Sequence, residues 1–214
     1  MTEEERIKQL VASALKRRDD VVDLVVSGGV GIELGVAEGF FAERVLSRSR
    51  LSFLYGVDMY AGDRGHNVEQ YKRALSRLAP FRDRHTLMKM RFDEAVDLFP
   101  DAAFDFIYVD GYAHDGEDGG RTFQDWWPKL KPGGVFSGDD YHKDWPLVVQ
   151  NVDRFIAENG LDLHTIACRE EGHYSRYPTW FVIKPPAETA TVTTRELLKA
   201  RLTEFMCARA AQSA

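Results

Sequence analysis

The chain is poor in cysteine, in long apolar runs and in positive charge, and each shortage removes a class of protein. Cys168 and Cys207 are the two cysteines among 214 residues, too few and too scattered for a disulfide framework or a cysteine-rich zinc site. No apolar run reaches the roughly 20 residues that span a bilayer. The segment Met1 to Lys8 is charged and has no apolar signal core. The net charge is −6 with no basic block, which argues against a surface for duplex nucleic acid. A reduced, cytoplasmic protein with neither membrane nor nucleic acid as partner is the expectation. The dinucleotide fingerprint G-x-G-x-x-G is also missing in every frame.

What is present is a hydrophobic share of 44%, enough for one domain with a full core and against wholesale disorder. Apolar runs of strand length alternate with helical patterns. Strands are expected at Ile32–Leu34, Leu51–Val57, Thr86–Met90, Phe104–Val109, Val135–Gly138, Leu161–Cys168 and Thr179–Lys184, the last two as an antiparallel pair. Helices are expected over Glu3–Arg18, from Glu38 to about Leu46, Val68–Leu78, Phe92–Phe99, Phe123–Leu130, Trp145–Asn159 and Thr193–Ala208. Phe40, Phe41, Val45 and Leu46 form the apolar face of the second helix; Tyr71, Leu75 and Leu78 form that of the third. Lys131-Pro132-Gly133-Gly134 reads as a turn, and Gly160 as a helix cap. Residues 23–29 read as either loop or helix end. The alternation predicts an α/β fold with a mostly parallel, doubly wound sheet. Its core spans about residues 29–184 of a one-domain chain, with helical extensions at both ends.

Ligands of such sheets bind beyond the carboxyl ends of the strands, so the residues there matter most. After the first strand stands Glu33-x-Gly35-x-x-x-Gly39, in which glycines allow a sharp bend and close approach of a ligand. The helix that follows turns its free N–H groups to the crevice. Asp58 closes the second strand, where a carboxylate accepts both hydroxyls of a ribose; a helix cap or loop carboxylate is the plainer role. Met59 and Tyr60 follow it and could flank an adenine. Asp93 is placed to accept an adenine amino group and Phe92 to pack beside the ring, though an aspartate there is also an ordinary cap. Asp110, Asp139 and Asp140 follow two further strands. Carboxylates gathered on one edge repel unless a cation sits between them, and oxygen ligands suit a hard ion such as Mg²⁺; capping of the next segment is the alternative.

The Glu33, Gly35, Gly39 spacing resembles motif I of class I S-adenosylmethionine (SAM)-dependent methyltransferases, with Ala37 where many members carry a middle glycine. The runs Phe104 to Asp110 with His114, Trp126 to Gly134, and Gly138 to Tyr141 widen the resemblance. They look like metal-dependent small-molecule O-methyltransferases, of the sugar and macrolide type and the cephalosporin-hydroxylase-like group, over roughly residues 31–184. The resemblance implies a Rossmann-like sheet of seven strands with an antiparallel last strand, SAM as cofactor, and Mg²⁺ on Asp110, Asp139 and Asp140. Glu33, Gly35, Gly39, Asp58, Met59, Phe92, Asp93 and Asp110 would then line the cofactor site. The partner would be a small hydroxylated acceptor.

The chain departs from these relatives at the base. Where catechol-type enzymes place a lysine it has Ala113, and where the sugar enzymes place an acid it has Tyr112. His114 is the nearest titratable candidate and is taken as catalytic with Asp110; His142 is next. The loop from Gly111 to Gly120 could form a lid, and His173, Tyr174, Arg176 and Tyr177 could face the acceptor. The terminal helices could cover the entrance or join two copies as a homo-oligomer. The alternatives are a metal-independent N- or C-methyltransferase, a non-catalytic SAM-binding module, and a nucleotide-binding protein that transfers no methyl.

Overall fold

A computed structural model describes residues 1–62, 65–111, 118–167, 176–186 and 191–212. Seven strands form one sheet: β1 (Val30–Leu34), β2 (Phe53–Asp58), β3 (His85–Lys89), β4 (Phe104–Val109), β5 (Leu130–Gly138), β6 (His164–Ile166) and β7 (Thr179–Ile183). Their order is β3-β2-β1-β4-β5-β7-β6. The pairs from β3 to β5 are parallel, and β7 runs antiparallel to both β5 and β6. The order reverses between β1 and β4, so the carboxyl ends of those strands flank the crevice where such sheets take ligands.

Helices cover both faces: α1 (Glu3–Ala14), α2 (Phe40–Arg48), α3 (Val68–Leu78), α4 (Phe92–Ala95), α5 (Arg121–Trp126), α6 (Pro146–Asn159) and α7 (Thr194–Gln212). Strand side chains alternate between them. Phe106 and Tyr108 join the cluster under α1, α2 and α7, whereas Ile107 and Val109 join the one under α4, α5 and α6. Being buried on both sides explains why these strands read as continuous apolar runs.

Several expectations need correction. The first helix ends at Ala14, and a 3-10 turn over Arg18–Leu24 follows. The second helix starts at Phe40, because Gly39 at φ +80° takes the left-handed region and ends the bend there. Phe40 lies outside the apolar face; it is exposed, with the Arg77 guanidinium 3.6 Å from its ring centroid. Leu75 is exposed too, and Ala74 takes the buried position beside Leu78. The Phe92–Phe99 helix is one short α-turn continued as 3-10 over Val96–Leu98, and α5 gives way to 3-10 at Trp127. The Lys131–Gly134 turn is an irregularity inside β5, where the pairing with β4 slips between Phe104 and Phe106. Of the expected Leu161–Cys168 strand, His164–Ile166 pairs with β7; Cys168 lies outside the described residues.

The helical extensions are not appendages. Ile7, Val11 and Ala14 of α1 and Leu198, Leu202 and Phe205 of α7 are buried in the same cluster as Phe41 and Val45. Among the described residues no helix is long and apolar enough to cross a membrane.

Candidate functional site

The bend after β1 is built on close backbone contact. Gly35 has φ +97°, and a β-carbon there would meet the Asp110 carbonyl oxygen at 1.7 Å. Its N–H donates to the Val57 carbonyl (2.8 Å), and the Asp110 N–H donates to the Leu34 carbonyl (2.7 Å). The ends of β1, β2 and β4 are thereby tied at one point.

Asp58 laces the bend from the side. One carboxylate oxygen accepts the N–H groups of Val36 (3.1 Å) and Ala37 (2.9 Å), and the other accepts that of Tyr60 (3.2 Å). Ala37 sits at φ +48°, a position that a glycine would take without strain. The Tyr60 hydroxyl donates to the Ala37 carbonyl at 2.7 Å. Tyr60 is thus buried against the bend, while Met59 is half-buried beside it.

Glu33 is buried on the same side as Tyr108. Its Oε2 has no hydrogen-bond partner among the described residues. Burial pushes its carboxyl well above the usual carboxylate range; Arg18 opposes this, and Asp110 and Asp58 add to it. A buried, unpartnered carboxyl oxygen is costly unless a ligand meets it.

Asp110, Asp139 and Asp140 come together: each offers one oxygen, and these lie within 4.8 Å of one another. Asp140 holds φ +60°, an uncommon strain for a non-glycine residue. The Thr179 hydroxyl donates to Asp139 at 3.1 Å. Burial pushes the Asp139 carboxyl up to about 7, against Arg18 and with Asp110 and Asp140.

The cation among these acids is a residue the sequence did not suggest. Arg18, buried at 6% exposure, forms ion pairs with Asp110 and, at 3.0 Å, with Asp139. Its Nε donates to the Tyr108 hydroxyl at 2.6 Å, and its guanidinium lies 4.9 Å from the Phe41 ring centroid and 5.0 Å from that of Tyr108. In the sequence, Arg17-Arg18-Asp19-Asp20 looks like a polar helix end, and no local pattern marks Arg18 as buried.

Other expected residues stand further from this centre. Phe92 is buried, and a β-carbon on Gly111 would meet its ring at 2.5 Å. Asp93 is exposed and takes a bidentate pair from Arg91, 2.9 Å to each oxygen. His114, with Tyr112 and Ala113, lies outside the described residues, as do His173 and Tyr174. His142 lies against Tyr177 with ring centroids 5.1 Å apart and the rings tilted by 33°, and its Nδ1 accepts the Asp144 N–H at 3.3 Å. The His142 backbone N–H donates to the Asp140 carbonyl at 2.7 Å, so the residue follows directly on the acids.

Carboxylates thus outnumber the guanidinium at a sheet edge with a glycine cradle, an arrangement suited to a positively charged ligand. A family model described as a methyltransferase domain matches residues 32–141, just over half of the chain. The fold is similar to that of an O-methyltransferase from Bacillus cereus in complex with SAH (TM-score 0.58, 17% identity, 85% of this chain and 90% of that one). It is similar also to a precorrin-6y C5,15-methyltransferase from Geobacter metallireducens (TM-score 0.56, 15% identity, 78% and 85% covered). A third similar structure is the N-methyltransferase NodS from Bradyrhizobium japonicum (TM-score 0.53, 16% identity, 85% and 94% covered). No curated protein sequence matches.

Proposed function

The chain belongs to the methyltransferase-domain family and is a SAM-dependent methyltransferase; from this premise we propose that it methylates an oxygen of a small hydroxylated metabolite, with a divalent cation, Mg²⁺, on Asp110, Asp139 and Asp140. Family membership removes the alternative of a nucleotide-binding protein that transfers no methyl. The observation that carries the finer reading is the convergence of those three carboxylates beside the glycine bend.

Both groups fit the residues present. The cradle at Gly35, which a β-carbon would fill, and the unpartnered Oε2 of Glu33 suit a backbone-hugging ligand with an ammonium group. Glu33 would face that charge. Asp58 would accept the ribose hydroxyls with lone pairs left over from the bend, and Met59, Phe92 and Asp93 would border the adenine. The acid cluster offers the oxygen donors a hard cation takes. When bound, SAM supplies an electrophilic methyl, and the divalent ion supplies acidity to a coordinated hydroxyl. The protein's own part is to hold acceptor and donor in line and to remove a proton. His114 and His142 are the proposed acceptors of that proton, His142 because it follows Asp140 at the rim. The acidic balance and the scarcity of cysteine are the grounds for proposing a cytoplasmic enzyme that does not act on nucleic acid.

A second reading, metal-independent methyl transfer to nitrogen or carbon, is favoured by Arg18, which already pairs with two of the three acids. Thermal melting separates the two. SAM at a hundred times its Kd should stabilise the fold by roughly 2.7 kcal/mol, NAD should not, and Mg²⁺ should add a shift that EDTA reverses. Label transfer from SAM to a panel of hydroxylated compounds should then depend on Mg²⁺ and be lost in Asp139→Asn with SAM binding kept. A SAM response indifferent to both Mg²⁺ and EDTA would select the second reading.

A further inference from the structure

Arg18 reaches the acid cluster from an anchored backbone. The next two residues, Asp19 and Asp20, are fully buried and pair with Arg17, Arg44 and Arg48. The 3-10 turn that carries Arg18 is therefore pinned against α2, and what can move is the side chain. That side chain spreads its two terminal nitrogens over Oδ2 of Asp110 and Oδ2 of Asp139. These are carboxylates assigned above to the divalent ion. A guanidinium and a divalent ion sharing the same oxygens would lie within a few ångströms of each other in a partly buried site, where like charges repel.

We propose that Arg18 is the resident counter-ion of Asp110 and Asp139 and competes with the divalent cation for them, so that the metal-loaded form requires the guanidinium to withdraw. The proposal rests on the metal reading of the cluster. It assigns Arg18 as a positioning residue: its two ion pairs hold the Asp110 and Asp139 carboxylates together in the metal-free protein, and its removal exposes them. Its guanidinium also lies over the Phe41 and Tyr108 rings, cation–π contacts that help hold it at the site.

The test is Mn²⁺ binding, read by electron paramagnetic resonance of the free ion on the full chain with no acceptor present. Arg18→Gln should bind Mn²⁺ roughly tenfold or more tightly than the wild type, the size of an ordinary coupling between two ligands. Arg18→Lys keeps the charge on a single ammonium and should fall between them; it also carries the test if the Gln variant folds poorly. Adding Asp139→Asn to Arg18→Gln should abolish the gain. Equal Mn²⁺ affinity in the wild type and both Arg18 variants, or weaker binding in the variants, overturns the competition and leaves the metal reading standing. Failure of the wild type and both variants to bind Mn²⁺ while SAM still stabilises them overturns the metal reading and this proposal with it.

Discussion

Gly35 and Asp110 meet backbone to backbone, so closely that a β-carbon on Gly35 would overlap the Asp110 carbonyl oxygen at 1.7 Å. The glycine bend and the acid cluster are therefore one structure, and a change in either moves the other. Gly35→Ala should cost more than about 4 kcal/mol, the exceptional range for a point substitution, and should abolish SAM binding. Gly28→Ala is the control: φ is +79° but nothing lies within 4 Å, so left-handed strain alone should cost about 1–2 kcal/mol. Urea unfolding of both variants checks this; similar losses would mean that the contact with Asp110 is unimportant.

Asp58 braces the bend, and its ribose role is the part of the proposed function that can be tested at the same residue. The sequence suggests a ribose ligand, and the structure adds that the carboxylate binds the Val36 and Ala37 N–H groups. Asp58→Ala should thus lower stability by about 2–6 kcal/mol, since it leaves those donors unpaired at roughly 1–3 kcal/mol each. Loss of charge-assisted bonds to the cofactor should weaken SAM about tenfold or more. Isothermal titration with SAM, beside urea unfolding, measures both. An unchanged SAM affinity would remove the ribose role.

Arg48 holds together the turn that carries Arg18. It pairs with Asp19, Asp20 and Asp23, of which the first two are wholly buried. Arg48→Met should destabilise by about 3–5 kcal/mol, because removing one partner strands buried charge. A chemical melt showing a loss below about 1 kcal/mol would mean that Arg17 and Arg44 suffice.

His85 supplies a pH test. It is buried in β3 with Nε2 unpartnered among the described residues, and burial pulls its pKa down from 6.5 to about 4. Between those values the unfolded chain binds a proton that the folded chain refuses, so this residue's contribution falls as pH drops from 6.5 to 4 and is constant above 6.5. Carboxyls with raised values, such as the half-buried Asp23 at about 6, act in the opposite sense, which makes the difference between variants the useful quantity. Relative to the wild type, His85→Leu should gain up to about 3 kcal/mol on going from pH 7 to pH 4. A pH-independent difference would show that His85 takes up its proton at the same pH in the fold as in the unfolded chain.

The elements most legible in the sequence are those whose signal is local. The Phe104–Val109 strand and the Val68–Leu78 helix fall where expected, because a doubly buried strand must be apolar throughout and Asn67 caps the helix. The Lys131–Gly134 segment lies within β5 because Pro and Gly suit a strand irregularity as well as a turn between elements. Leu75 faces outward while Ala74 is buried, because helical spacing defines a stripe but not its centre.

By itself the sequence determined the order of strands and helices, the glycine bend, and that Asp110, Asp139 and Asp140 end neighbouring strands, since each follows from periodicity and from residues that act on their own backbone. The tertiary structure alone decided that α1 and α7 complete the core, that Asp58 braces the bend, and that Arg18 stands among the acids. Those are contacts between segments distant along the chain. A buried arginine is selected by the carboxylates folded around it, and nothing in its immediate neighbours records them.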